Sequence, residues 1–262
     1  MTPLLAVASH FAERIKVNSI RCEIRNGERF WVKRRRPSAP LTLACANWFF
    51  RLAKNPIRVL EDVRMWQRWE VESFMQLHAG HRAFAGDSRS VAAQELPGAA
   101  LAQFLDQGAM TPAMAAAAGR ELARAHAVEC FTFGGGWSHG DPHAGNFLYD
   151  PRHDRARLID FEVVHDLALP AAERHADDLL VFLQDVVGRV SPEMWVKLAE
   201  AFLEGYDRPG IVERLAPRLI LPRGIPRLWW AVRTTYLPGA ELARRFELLR
   251  DALVTRGATA AV

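Results

Sequence analysis

Between residues 17 and 33 the sequence VNSIRCEIRNGERFWVK alternates apolar and polar positions, with Ile20, Cys22 and Ile24 on one face and Phe30-Trp31-Val32 leading into Lys33. A period of two marks a strand, and Asn26-Gly27 between two such runs is a strong hairpin turn. Two antiparallel strands are expected. The cluster Trp48, Phe49, Phe50 and Leu52 within Ala44 to Leu52 predicts an inserted helix that Asn55-Pro56 ends. From 57 to 79 the spacing turns helical through Leu60, Val63, Trp66, Val71, Phe74 and Leu77. Residues 91 to 105, VAAQELPGAALAQFL, read as a strand, a Pro97-Gly98 turn and an amphipathic helix. Thr111-Pro112 supplies a cap and a proline at the first helical position for an alanine-rich helix reaching Val128. Two apolar runs, Phe147-Leu148-Tyr149 and Leu158-Ile159, enclose a turn with Pro151, His153 and Asp154 and predict a second hairpin. Beyond it, Asp177-Asp178 opens an apolar helix through Leu183. The remainder, with Trp195, Phe202, Trp229 and Trp230, reads as helices punctuated by Pro209, Pro222 and Pro226.

At 262 residues the chain suffices for one large or two small domains with a sizeable core. Half its residues are hydrophobic and 24% are charged, as in an ordinary globular protein. A net charge of +4 and a pI near 9.2 suit an anionic small substrate or an anionic membrane surface. No RNA-binding signature or zinc spacing accompanies that charge, so no nucleic-acid partner is expected. Three widely spaced cysteines, Cys22, Cys45 and Cys130, make neither a disulfide framework nor a metal cluster and fit a reducing cytoplasm. The N-terminal MTPLLAVASHFAERIK lacks a positive n-region and makes a poor signal peptide. The most apolar later stretch, Leu41 to Phe50, is too short to span a bilayer. A soluble cytoplasmic protein, or one peripheral on the inner membrane, is expected.

The chemistry gathers in Trp137 to Glu162, WSHGDPHAGNFLYDPRHDRARLIDFE. The second hairpin is flanked here by Asp141, Asn146 and Asp160, which it would bring together at one end. That set suits phosphoryl transfer, whose loose transition state asks the protein mainly to position groups and neutralise charge. One carboxylate would orient an acceptor hydroxyl, while an amide and a second carboxylate hold Mg²⁺, a hard ion that prefers oxygen. Each residue alone would pass for a turn residue of an ordinary hairpin. The ordered set of His139, Asp141, Asn146 and Asp160 is far more specific.

This stretch resembles the catalytic segment of the protein-kinase-like superfamily. The resemblance implies an α+β, two-lobed fold, with a small β-rich, nucleotide-covering N-lobe over residues 1–96. A larger helical C-lobe with the catalytic loop and metal site would follow over 97–262. Asp141 stands at the catalytic base, Asn146 at the loop asparagine and Asp160 at the metal-binding aspartate. The His-Gly-Asp form is similar to aminoglycoside phosphotransferases, and DPHAGN looks like the atypical kinases of ubiquinone biosynthesis. Lys33 falls at the strand lysine that contacts the ATP phosphates. On E-V-E-S-F-M-Q-L the family pattern selects Glu70 as its partner, with Glu72 as rival. Backbone groups near Glu95 and Leu96 would bind the adenine edge. Asp178, or else Asp177, would hold the catalytic loop from behind; without that role it is an N-terminal carboxylate favoured by the helix dipole.

Two departures narrow the relatives. The usual Asp-Phe-Gly is Asp160-Phe161-Glu162, and His10 to Ile20 contains no glycine where a phosphate loop would lie. Together with compact size and the insert between Lys33 and its helix, these resemble bacterial lipopolysaccharide (Kdo/heptose) kinases. The activity implied is ATP- and Mg²⁺-dependent phosphorylation of a hydroxyl on a cell-envelope glycolipid sugar. Rival readings are an aminoglycoside- or choline-type small-molecule kinase, a RIO-like serine/threonine protein kinase, and a nucleotide-binding pseudokinase scaffold. Arg34, Arg35 and Arg36 with Pro37 and Pro40 read as a charged linker, solvated or meeting phosphate-bearing substrate or lipid. The arginine-rich residues 213–250 read similarly. His126 reads as a packed histidine, and Gly134-Gly135-Gly136 as a loop rather than a phosphate cradle, since no helix follows directly.

Overall fold

In the computed structural model, which describes residues 17–260, Asn26 and Gly27 both adopt left-handed backbone, with φ of 52° and 79°. They turn strand β1 (Asn18–Arg25) back onto β2 (Glu28–Arg35). With β4 (Ala83–Ala85) and β5 (Ser90–Gln94) these make a four-stranded antiparallel sheet in the order β1-β2-β5-β4. The register sets Lys33 between Ile20 on one neighbour and Val91 on the other. Phe30, Val32 and Ala92 form a small apolar cluster on the sheet.

The inserted helix α1 spans Ala39–Leu52, longer than expected because Pro40 is tolerated in its first turn. Helical spacing over 57 to 79 merges two elements. Ile57–Val59 is strand β3, and helix α2 runs over Val63–Leu77 from Asp62, whose side chain caps the Met65 amide at 2.7 Å. Strand β3 pairs antiparallel with β9 (Val163–His165), immediately after Glu162. Arg34 and Arg35 continue β2 and are not linker. Arg35 is buried, donating to the Glu61 carbonyl and lying 4.5 Å over the Trp66 ring.

The larger part begins with β6 (Ala99–Ala100), which joins β7 (Phe147–Asp150) and β8 (Arg155–Leu158) in a three-stranded sheet. Helices α3 (Leu101–Asp106), α4 (Pro112–Ala125), α5 (Ala171–Val187), α6 (Pro192–Tyr206) and α7 (Pro209–Leu215) follow. Two more complete the chain, α8 (Ile225–Arg233) and α9 (Gly239–Ala260). Helices α4 and α6 cross closely at Gly119 and Gly205, where an added Cβ would strike the Phe202 and Ala116 carbonyls. In the core Phe147 meets Phe182 edge to face and Phe182 stacks on Phe202, at 5.5 and 4.0 Å between ring centres. Helix α5 starts at Ala171, so Asp177 and Asp178 sit inside it and not at its dipole-favoured end.

A small antiparallel sheet with one helix beside it thus stands over a larger, mainly helical part, the α+β layout expected. The N-terminal run considered as a signal peptide, and residues 10–16 of the glycine-free stretch, lie outside the described residues. Among the described residues no helix is long and apolar enough to cross a membrane, and Cys22, Cys45 and Cys130 are free thiols.

Candidate active site

Lys33 enters the space between the two parts from β2, its side chain 14% exposed. Its Nζ donates to Glu70 Oε1 and, at 2.6 Å, to Asp160 Oδ1, with Glu162 Oε1 at 3.3 Å. Glu70 is on the buried face of α2 beside Trp66 and Trp69. Glu72, two residues on, faces elsewhere and accepts from the Thr132 amide and hydroxyl. Burial would lower the Lys33 pKa, but Asp160, Glu70 and Glu162 outweigh it and hold the ammonium well above its usual range. Burial raises Glu70 despite the lysine. For Asp160, burial is overcome by Lys33 and the carboxylate stays lowered. Glu162, desolvated and next to Asp160, is pushed up to about 7. Its second partner is Asn18, whose amide donates to Glu162 Oε1.

The hairpin does the rest of the assembly. Phe147 pairs with Leu158, and the Ile159 amide donates to the Asn146 carbonyl at 2.9 Å, so Asn146 and Asp160 stand at the same open end. Asn146 Nδ2 donates to the Asp141 carbonyl at 2.8 Å, which turns the loop between them inward. Asp160 holds a left-handed φ of 68°, a conformation that Asp tolerates better than most residues. His139 ties the loop to the strand end: Nε2 donates to the Ile159 carbonyl at 3.0 Å and Nδ1 accepts from the Asp141 amide at 3.3 Å. Burial lowers its pKa and keeps it neutral, as this donor-acceptor pattern requires.

Behind the loop, Asp178 is fully buried and accepts from the His139 amide at 2.8 Å and the Gly140 amide at 2.7 Å. It also accepts from His126 Nε2 at 2.9 Å, while His126 Nδ1 meets the Tyr206 hydroxyl at 2.7 Å. Burial raises the Asp178 pKa, yet the surrounding histidines and hydrogen bonds outweigh it and keep the carboxylate ionised. Asp177 instead meets His165 Nε2 at 3.2 Å and Arg218 at 3.5 Å.

A cavity of about 470 Å³ opens above Lys33, lined by Ile20, Val91, Ala93, Leu96, Leu148 and Ile159, with Glu70 and Asp160 at its floor. That volume falls within the usual range for small ligands. Glu95 and Leu96 lie on its wall. The Glu95 amide is spent on the Arg29 carbonyl at 2.9 Å, and its carboxylate on Trp31 and Arg29. Gly98, at φ 117°, passes so close to the Tyr149 carbonyl that a Cβ would collide with it, which fixes the chain where it leaves the cavity wall.

Among the described residues no group of three or more His, Cys, Asp and Glu side chains is arranged as a metal centre. The donor set here differs: one amide oxygen on Asn146 and one carboxylate on Asp160. Mg²⁺ in nucleotide sites commonly takes one or two such protein oxygens and completes its shell with phosphate and water. Three carboxylates share a single lysine, so the site holds excess negative charge that suits a hard dication.

No protein-family model and no curated protein matches this chain. Solved structures similar to it include Rv3197 from Mycobacterium tuberculosis in complex with erythromycin, 14% identical, with a TM-score of 0.42 over 90% of this chain and 71% of that one. A Plasmodium vivax ethanolamine kinase is 10% identical, with a TM-score of 0.48 over 96% of this chain and 87% of its own. At such distances neither substrate nor activity carries over.

Three site neighbours had no sequence signal. Arg233, from the end of α8, places Nη2 3.1 Å from Asp141 Oδ1 and lies 4.7 Å over the Trp229 ring. It belongs to the arginine-rich region read as solvated, yet its side chain is only 9% exposed. His143 stands 4.0 Å from the same carboxylate. Asp185 accepts from the Ala144 amide at 2.9 Å and steadies the loop between Asp141 and Asn146. Only the placement of Asp185 about two helical turns beyond Asp178, on the same face, could have hinted at that role.

Proposed function

We propose that the protein is an ATP- and Mg²⁺-dependent phosphotransferase that modifies a hydroxyl group. The observation that carries this reading is the double engagement of Lys33, by Glu70 from a helix and by Asp160 from the hairpin end, at the floor of an apolar cavity. In this reading the adenine lies against Ile20, Val91, Leu96 and Leu148, and the Leu96 amide and Glu95 carbonyl serve its edge. Lys33 holds the phosphates and is itself held by Glu70. Asn146 and Asp160 would hold Mg²⁺, which neutralises charge developing on the transferred phosphoryl group. Asp141 orients the acceptor hydroxyl and takes its proton, with Arg233 and His143 setting the carboxylate's position.

For the acceptor we propose a sugar hydroxyl on a cell-envelope glycolipid, with the protein working in contact with an anionic membrane. Support comes from the insert between Lys33 and α2, the absence of glycine from His10 to Ile20, and the basic excess of the chain. The division into a nucleotide-covering lobe over residues 1–96 and a catalytic lobe over 97–262 belongs to the same proposal.

The test is transfer of label from radiolabelled ATP to envelope lipid extract, small polyols and a generic protein substrate. Label in the lipid fraction supports the full reading. Label in polyols alone keeps the phosphotransferase and replaces the acceptor. Asp141→Asn should lower transfer by about 10²- to 10⁴-fold while the rise in melting temperature with ATP and Mg²⁺ persists. Nucleotide binding with no transfer to any acceptor would leave a scaffold.

A further inference from the structure

The two longest segments of the chain without an acidic residue are Arg29 to Leu60, with eight lysines and arginines, and Arg214 to Ala240, with five. The first contains α1 and the second α8, and the two helices touch. Trp229 of α8 packs edge-on against Phe49 and Phe50 of α1, at 6.3 and 5.0 Å between ring centres.

Each helix then turns a second apolar stripe to solvent. On α1 these positions are Leu41, Cys45, Trp48 and Leu52, spaced four, three and four residues apart, with Leu41 75% and Trp48 65% exposed. On α8 they are Ile225, Leu228 and Val232, with Leu228 61% and Val232 54% exposed. Apolar side chains on the outer face of a surface helix gain nothing in water, and exposed stripes of this kind on two touching helices mark a contact surface. The exposed charges beside the stripes are cationic, Arg36, Arg51 and Lys54 around α1 and Arg223 and Arg227 around α8, while Glu61 meets Asn47 on the buried face of α1.

An apolar centre with a mainly cationic rim complements one surface in particular, an anionic lipid leaflet. Headgroup phosphates pair with arginine and lysine while tryptophan and leucine enter the acyl boundary. The position fits as well, because α8 ends in Arg233, the residue against Asp141. We propose that α1 and α8 together dock the protein on an anionic phospholipid surface and turn the Asp141 end of the cleft toward it. This deepens the glycolipid reading and rests on it for its purpose, but it is measured without any acceptor.

The test is co-sedimentation of the full chain with vesicles of phosphatidylcholine alone and of phosphatidylcholine with phosphatidylglycerol, at low and moderate salt. The wild type should sediment with the anionic vesicles only and be released by salt. Trp48→Glu combined with Leu228→Glu should weaken binding at least about tenfold. Arg51→Gln and Lys54→Gln should each weaken it about fivefold. Ile24→Glu, on the exposed side of β1, should leave it unchanged. An unaltered melting temperature, and an unaltered rise with ATP and Mg²⁺, shows that each variant is folded. Absence of wild-type binding to anionic vesicles overturns the proposal, as does equal binding by the Trp48→Glu, Leu228→Glu pair. So does a wild-type dimer in sedimentation velocity that this pair dissolves, since a second copy would then occupy the face. Vesicle binding without label transfer to lipid removes the acceptor and keeps the face; transfer without vesicle binding removes the face alone.

Discussion

Among the described residues Lys33 is the cation that pairs directly with Glu70, Asp160 and Glu162, and Glu70 Oε2 is already buried without a partner. Lys33→Met would leave three carboxylates facing one another. It should cost about 3 kcal/mol of stability, seen in urea denaturation, and cut phosphoryl transfer about 100-fold or more. Glu162 carries a separate pH signature. Its pKa is about 7 against an ordinary value of 4.5, so between those values the folded chain binds more protons than the unfolded one. Its contribution therefore lowers stability as pH rises from about 4.5 to about 7. Glu162→Gln should remove that slope and be more stable than wild type near about pH 8, by on the order of 2 kcal/mol. A variant that gains stability only at acid pH would contradict this. At this scale Asp141, Asn146 and Asp160 were legible because one hairpin brings them together at short sequence spacing. Glu70 and Glu72 were not separable, since residues two apart on a helix point to nearly opposite sides and only the packing of Trp66 and Trp69 chooses between them.

Helix α5 braces the loop leading into Asp141 through Asp178, which carries the His139 and Gly140 amides and His126 at once. Asp178→Ala would orphan all three donors in the interior. A loss of about 3 to 5 kcal/mol is expected in chemical denaturation. The same packing holds histidines neutral. Burial, with His126 stacked 3.8 Å away, depresses His175 to about 3, and burial does the same to His78. Unfolded, each titrates near its usual 6.5. As pH falls from about 6.5 toward about 3 the unfolded chain takes up protons the folded chain refuses, and stability is lost. Denaturation midpoints should fall over that window, and His175→Gln should flatten the slope by about one proton. Element boundaries were less legible than element types. Ile57–Val59 carries residues that suit helix and strand alike, and only its pairing with β9 makes it a strand.

Across the whole molecule, the small sheet is tied to the helical part by β3 on β9 and by α1 on α8, both flanking the cleft. Trp229 serves two contacts there, the ring face under Arg233 and the edge against Phe50. Trp229→Ala should free Arg233 and with it Asp141, lowering turnover about tenfold while the ATP-induced rise in melting temperature is kept. An unchanged turnover would show that Asp141 is positioned without α8. Periodicity, turn chemistry and closely spaced polar residues act over a few residues, and they sufficed to place both hairpins, the Thr111-capped helix and the Asp141–Asn146–Asp160 set in the chain. Nothing so local could announce that Arg35 and Arg245 are buried, and the Arg233 side chain nearly so, among arginines that look alike in sequence. Which cations leave solvent, which glutamate meets Lys33, and which helices adjoin Asp141 follow from segments far apart in sequence packing together, where the cost of an unpaired buried charge selects the partners.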